Sequence, residues 1–302
     1  MDGLILVDKP KGCTSHDVVQ ALRRILSIRK IGHFGTLDPM AEGLLLIGIG
    51  KATRLFPYLS STRKIYEGSI RLGLSTDTYD REGEITLEYR GSLPARRNVE
   101  QAMADFVGEI QQVPPPYSAK KFQGQPLYTR ARKKLPVPLK PSPVTVFSFQ
   151  MTAYSPPTFR FRTSCSSGTY IRSLAHDLGK NLSCGACLDA LRRTSSGRYM
   201  LEEARTLEQI EKLSQEGKVG NFLQPLESLL TEYPAAALDD PEVRLAKHGN
   251  SISLQATRGF DPSLDDEYPI VRLFDREGHL IALGKLNQET RELHPFLVFE
   301  TA

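Results

Sequence analysis

The segment 31–43, "IGHFGTLDPMAEG", sets His33 and Asp38 five residues apart among three glycines and a proline. Asp38 has two readings. An Asp-Pro pair starts helical turns, with aspartate capping free N–H groups and proline at the first helical position. A carboxylate in such a loop can equally act as an enzymatic nucleophile or base. Arg172 bears on the choice. It falls in the first turn of an expected helix, "GTYIRSLAHDLGKNL". The macrodipole is already positive there, so a cation is unfavourable by about half a kcal/mol unless an anion stands beside it. A carboxylate or a phosphate would remove the conflict, and the preceding "SSGTY" offers hydroxyls and backbone N–H groups to the same anion. Tyr66 and Tyr170 fit either as core aromatics or as faces on which an unpaired base stacks.

Other candidate motifs fail on their own terms. "GIGKAT" approaches a phosphate-binding loop, but Leu45 and Ala52 stand where glycine and a hydroxyl residue are required. Ser118-x-x-Lys121 matches the first element of an acyl-enzyme signature whose other two elements are missing. Cys184 and Cys187 form a C-x-x-C without two further ligands at zinc spacing. The six histidines form no H-x-H or H-E-x-x-H pair. No metal is expected.

The elements that must position these residues alternate without a regular βαβ rhythm. "GLILVD" and "GLLLIGIG" are expected strands, and "TSHDVVQALRRIL" an amphipathic helix with a capping box from Thr14 and Asp17. In "KIYEGSIRLG", Tyr66, Ile70 and Leu72 share one face. A helix over 98–110 capped by Asn98, strands "VTVFSFQM" and "TFRFRTSCS", a helix over "GTYIRSLAHDLGKNL" with Gly179 near its end and a short helix at "CLDALRRT" are expected to follow. "DREGE" reads as a turn, and 113–143 as loop. Beyond 230, "YPIVRLFD" and "HLIALGKL" form short strands joined at "REG". The pattern predicts an α+β architecture: a mixed β-sheet domain with flanking helices over 1–230, and a small β-rich domain over 231–302.

Composition narrows the class. At 302 residues, 40% hydrophobic and 25% charged, the chain is ordinary for a folded protein. The run "LILV" is too short for a secretory h-region, and no apolar stretch approaches a membrane span, so a cytoplasmic protein without membrane contact is expected. Residues 1–226 carry 32 Lys/Arg against 21 Asp/Glu, while 227–302 carry 7 against 14. Between Glu109 and Asp177 ten basic residues meet no acidic one. A one-signed stretch of that length points to a polyanionic partner.

Five blocks now resemble one family. "GLILVDKPKGCTSHDVV", "GHFGTLDPMAEGLLLIGIGKATR", "KIYEGSIRLGLSTDTYDREGE", "PPPYSAKKFQGQPLYTRAR" and "GTYIRSLAHDLG" with "CGACLDALRRTSSG" are similar, in that order, to the motifs of the TruB family. That family comprises bacterial tRNA pseudouridine synthases acting on a uridine of the T loop. The resemblance implies a pseudouridine-synthase fold with a C-terminal PUA-like domain. It also implies that Asp38 is catalytic, that His33 enters the RNA stack when the uridine flips out, and that Tyr66 packs on the base. Arg172 would pair with Asp38, and Tyr170 and Leu191 would line the uridine pocket. Lys9, Lys120, Lys121, Arg130 and Arg132 become expected contacts to RNA phosphates, with a tRNA T-arm stem-loop as partner and a monomer as the working state. Phe34 and Glu42 depart from the threonines usual at their positions, and "RYM" replaces an expected Pro-Phe after "RRTSSG". Breaking N1–C1′ and rejoining the sugar through C5 exchanges no electrons or external atoms, so no cofactor is expected. An ionised carboxylate is needed, which a neighbouring arginine favours. It could attack C1′, attack C6 or take a proton from the sugar. Extruding a stacked base costs about a few kcal/mol, which the inserted histidine and the stacking tyrosine would offset.

Overall fold

A computed structural model of the chain describes residues 1–60, 62–118, 121–122, 125–126, 140–259 and 270–299. Lys120, Arg130 and Arg132 lie outside the described residues, and so does the side chain of Lys121. The chain divides into two compact units. One holds Ile5–Ile47 and Leu55–Phe222; the other gathers Met1–Leu4, Gly48–Arg54 and Leu223–Ala302. The second thus includes residues on both sides of 230. Among the described residues, no helix is long and apolar enough to cross a membrane.

The larger unit is built on a mixed sheet. Its strands are β1 (Gly3–Lys9), β2 (Glu42–Ile49), β3 (Lys64–Leu72), β4 (Gly108–Gln112), β5 (Ser142–Ser155), β6 (Thr158–Cys165) and β7 (Ala186–Ser196). Their order is β1-β2-β7-β3-β6-β5-β4. β7 runs parallel to β2 and antiparallel to β3, and the β3-β6-β5-β4 half is antiparallel throughout. The unit's helices include α1 (Ser15–Leu26), α2 (Arg96–Ala104) and α3 (Ile171–Asn181). α1 buries Val18, Val19 and Leu22, and its expected Thr14–Asp17 capping box is formed. On β3, Tyr66, Ile70 and Leu72 are buried together as the alternation required, and Lys64 is buried with them.

Two expectations were wrong. "CLDALRRT" is not helical; it is the middle of β7. Leu188 and Leu191 stand three apart because a register shift at Leu188/Ala190 inserts an extra residue, and a bulge of that kind imitates a helical spacing. The helix expected over 98–110 starts at Arg96 behind Ala95, with Asn98 inside it rather than capping it. It stops at Ala104, because Gly108 at φ +111 turns the chain into β4. Gly179 stands near the end of α3, as expected. It lies inside the helix where a Cβ would come within 2.0 Å of the Ala186 nitrogen, so it permits close packing against the start of β7. Ser183, at φ 54, makes the reversal that follows.

Gly43 fixes the parallel seam between β2 and β7. It pairs with Arg193, has φ +99, and a Cβ there would sit 2.4 Å from the Arg193 carbonyl oxygen. Gly43→Ala is expected to lower stability by about 2 kcal/mol or more. Denaturant titration checks this, and an unchanged midpoint would refute the close approach.

The smaller unit carries a six-stranded sheet that includes Ala235–Leu238, Ile270–Phe274, Leu280–Asn287 and Glu292–Val298, the last three antiparallel in sequence as "YPIVRLFD" and "HLIALGKL" implied. Leu238, Val271, Leu273, Ile281 and Leu293 form its core with Ala246 of the helix Asp240–Lys247. It is β-rich, as expected.

Candidate active site

Asp38 sits in a turn, not at the head of a helix. Its carbonyl accepts the Ala41 N–H at 3.1 Å with Pro39 as the first inner residue. The loop is pinned from α1. The Ser15 hydroxyl accepts the Leu37 N–H at 2.9 Å and donates to the Leu37 carbonyl at 3.0 Å, while the Pro39 carbonyl takes the Gly12 N–H at 2.8 Å. Met40 and Ala41 anchor the far side in the core. The first block of sequence therefore acts by holding the second.

Lys9 belongs to this scaffolding. It is fully buried, and its ammonium donates to the carbonyls of Pro10 at 2.9 Å and Cys13 at 2.7 Å. Burial also pushes its pKa down. The expectation of a surface cation gripping a phosphate is corrected: the "KPKG" turn folds around its own lysine.

Arg172 resolves the conflict of charge at its helix terminus. Its Nε and Nη2 donate to the two oxygens of Asp38, each at 2.9 Å. Two further N–H groups go to the carbonyls of Thr78 and Tyr117, both at 2.9 Å. The side chain is 5% exposed and that of Asp38 33%. A fixed two-pronged pair of this kind orients a carboxylate. Asp80 stands 3.6 Å from Arg172 Nη1 and is 8% exposed. Burial raises its pKa, opposed by hydrogen bonds from Thr78 and the Glu82 N–H and by the Arg172 charge. "DREGE" reads as a turn, and nothing in its composition marks Asp80 as the second carboxylate of this network.

Asp38, Tyr66, Tyr170, Arg172 and Leu191 line one pocket of about 420 Å³. Burial pushes the hydroxyls of Tyr66 and Tyr170 up, so both rings present neutral phenols. Tyr170 is held by its backbone: the Gln112 side chain donates to its carbonyl at 3.0 Å and accepts its N–H at 2.8 Å. Lys64 and Arg193 also line the pocket, and neither was singled out in the sequence. A signal existed, since Lys64 falls on the apolar parity of its strand with Tyr66. His33 is not part of the lining. It ends the short strand Ile31–His33, and its Nδ1 is buried without a hydrogen-bond partner among the described residues. Burial, with the nearby Arg193, holds its pKa below the usual value, so the ring is neutral at pH 7.

Both unexplained departures acquire reasons. Glu42 pairs with Arg192 at 3.1 Å, and Arg192 in turn reaches Asp8 at 2.8 Å. Phe34 is buried and meets Phe56 edge-on, with ring centroids 6.1 Å apart. Cys184 and Cys187 are buried free thiols, and burial pushes Cys187 up to about 11, which suits a packing role.

The Thr78–Asp80 loop is braced by Tyr79, at φ 66, whose ring stacks on His176 of α3 with centroids 3.7 Å apart. Burial, aided by Lys180, lowers the His176 pKa from 6.5 to about 4. Above pH 6.5 the ring is neutral folded and unfolded alike. Below it the unfolded chain takes up the proton first, so stability is lost as pH falls from 6.5 toward 4. His176→Gln is expected to flatten that part of the curve, measured as the difference in unfolding free energy between variant and wild type across the window.

Comparison with known proteins follows the same lines. A family model described as TruB family pseudouridylate synthase (N terminal domain) matches residues 23–171, and one described as tRNA pseudouridylate synthase B C-terminal domain matches 172–231. The chain is 42% identical over 286 residues to tRNA pseudouridine synthase B of Solibacter usitatus, covering 95% of this chain and 96% of that protein. It is 44% identical over 311 residues to the protein of the same name from Thermobifida fusca, covering 99% and 98%. Among solved structures it resembles a Cbf5-Nop10-Gar1 complex, with 28% identity, a TM-score of 0.73, and 99% of this chain and 85% of that one covered. An H/ACA RNP bound to a substrate RNA containing 2′-deoxyuridine gives a TM-score of 0.72 at 26% identity, with the same coverage.

Proposed function

The chain belongs to the TruB family of pseudouridylate synthases and is a tRNA pseudouridine synthase, an isomerase, and on that premise we propose that its target is a uridine of the T loop, flipped into the Asp38 pocket. The observation that carries this reading is the grip of Arg172 on both oxygens of Asp38 at the floor of a pocket lined by two tyrosines and a leucine. The pocket has the apolar and aromatic lining that an extruded pyrimidine requires. Tyr66 packs on the base, Tyr170 and Leu191 close around it, and His33 fills the place it leaves in the stack. A neutral imidazole enters a stack of bases at lower desolvation cost than a charged one.

The reaction leaves atoms balanced. The bond between N1 and C1′ breaks, the uracil turns, and a bond between C5 and C1′ forms. The C5 proton is lost to solvent and N1 takes up a proton. Asp38 is the carboxylate that acts on the extruded nucleotide. Arg172 orients it, and Asp80 holds Arg172 from behind. Phosphates of the T-arm are met by the basic stretch between Glu109 and Asp177, giving affinity that falls with salt. The test is tritium release from a T-arm stem-loop carrying 5-tritiated uridine at the T-loop position. Stoichiometric release supports the reading. Tight binding without release would instead describe an RNA-binding protein, and release only from other tRNA sites would move the target.

A further inference from the structure

We propose that Lys64 and Arg193 form a subsite for one phosphodiester flanking the flipped uridine, an inference that rests on the RNA-substrate reading above. The two side chains enter from adjacent strands. Lys64 begins β3 and Arg193 lies near the end of β7, and both line the pocket that contains Asp38. They are 5% and 1% exposed. Their partners are neutral: backbone carbonyls and, for Arg193, the Tyr66 hydroxyl as well. Lys64 Nζ donates to Ser60 at 2.8 Å and Thr62 at 3.0 Å, which among the described residues leaves its third N–H. Arg193 donates from Nε to Leu44 at 2.7 Å and from Nη2 to Gly35 at 3.0 Å. Among the described residues, neither makes an ion pair with a carboxylate.

Two buried cations side by side without an anion are unfavourable twice, by desolvation and by mutual repulsion. Lys64 registers both: burial first, and then the Arg193 charge, push its pKa down to about 8. The facing Cys165 thiol offers no negative charge, since burial pushes it up to about 11. A site that keeps such a pair is complete only with an anion in it.

The geometry provides the place. Gly35 has φ +98, and a Cβ on it would lie 3.5 Å from both Arg193 Nη1 and Lys64 Cε. The two side chains therefore converge on one spot at the pocket wall, where the missing Cβ leaves space. Ser167, Gly168 and Thr169, leading into α3, line the same pocket. A uridine seated with its sugar at Asp38 brings its two phosphodiesters along, and the cations are placed to meet one of them. Each charge-assisted hydrogen bond then forms in a site sheltered from water.

The experiment uses T-arm stem-loop RNAs with a single uncharged methylphosphonate immediately 5′ or 3′ of the target uridine, with binding followed by fluorescence anisotropy. For the wild-type protein, one of the two linkages is expected to weaken binding by about tenfold to a hundredfold. Lys64→Gln should bind unmodified RNA about that weakly and lose nothing further on the neutral linkage, while Lys64→Arg should retain most of the affinity. The subsite is overturned if the wild type tolerates both neutral linkages, a result that needs no variant to fold. Independent, multiplying losses from Lys64→Gln and the neutral linkage overturn it as well. Tritium release from unmodified RNA, read in parallel, separates the two ideas. Absence of release with the linkage effect intact sinks the T-loop reading and leaves the subsite standing.

Discussion

Asp38→Asn is expected to reduce single-turnover tritium release by about ten-thousandfold or more while changing RNA binding by no more than about fivefold. The amide has nearly the shape of the carboxylate, so the turn through Pro39 and Ala41 and the packing of Met40 survive. What it lacks is the charge and the second acceptor. One of the two Arg172 hydrogen bonds faces an NH2 group, while the bonds from Arg172 to Thr78 and Tyr117 remain. A stability loss of about 1–3 kcal/mol follows from the buried donor left unpaired. The separation of effects is what makes the experiment decisive. A variant that binds and folds but releases no tritium assigns the chemistry to the carboxylate. A variant that keeps a tenth of the wild-type rate removes Asp38 from the reaction.

The same residue shows how far the sequence could be read. Asp38 was ambiguous alone, since a turn-forming Asp-Pro is commoner than a catalytic one. Arg172 in the first turn of a helix asked for an anion without saying which, and only the family resemblance named Asp38 as its partner; the bidentate pair meets that need. The capping box of α1 and the alternation on β3 were legible for the same reason: both are local, each depending on residues a few positions apart. β7 was not legible as a strand. Its bulge at Leu188/Ala190 converts a two-residue period into a three-residue step, and only pairing with β3 and β2 reveals it. Asp80 was illegible for another reason. Its role comes from burial beside an arginine 92 positions later in the chain, and no local pattern encodes that neighbour. Lys64 lay between these cases. Its place on the apolar face of β3 was visible, but a strand's first residue is often solvated and the parity alone carried little weight.

Asp80 also sets up the second large effect. Arg172→Met removes the common partner of two carboxylates, one of them 8% exposed. Breaking a buried charge network by deleting its cation costs about 3–5 kcal/mol, because the remaining charge stays buried without compensation. The loss should be greatest at neutral pH. Burial already raises the Asp80 pKa above 3.8, and the Arg172 charge is one of the influences that hold it down. Without Arg172 it rises further. A carboxyl whose folded pKa lies above the unfolded one stabilises the fold when protonated, and that contribution fades as pH climbs through the folded value. Arg172→Met should therefore regain stability relative to wild type as pH falls from 7 toward 4. Adding Asp80→Asn to Arg172→Met should recover about 1–2 kcal/mol at pH 7, since the uncompensated charge is gone. Activity should not return in the double variant, because Asp38 still lacks the guanidinium that orients it. Denaturant titrations of the four proteins at pH 7 and pH 5 measure the coupling. Strictly additive losses would mean that Arg172 and Asp80 act separately, and Asp38 would then be held by Arg172 alone.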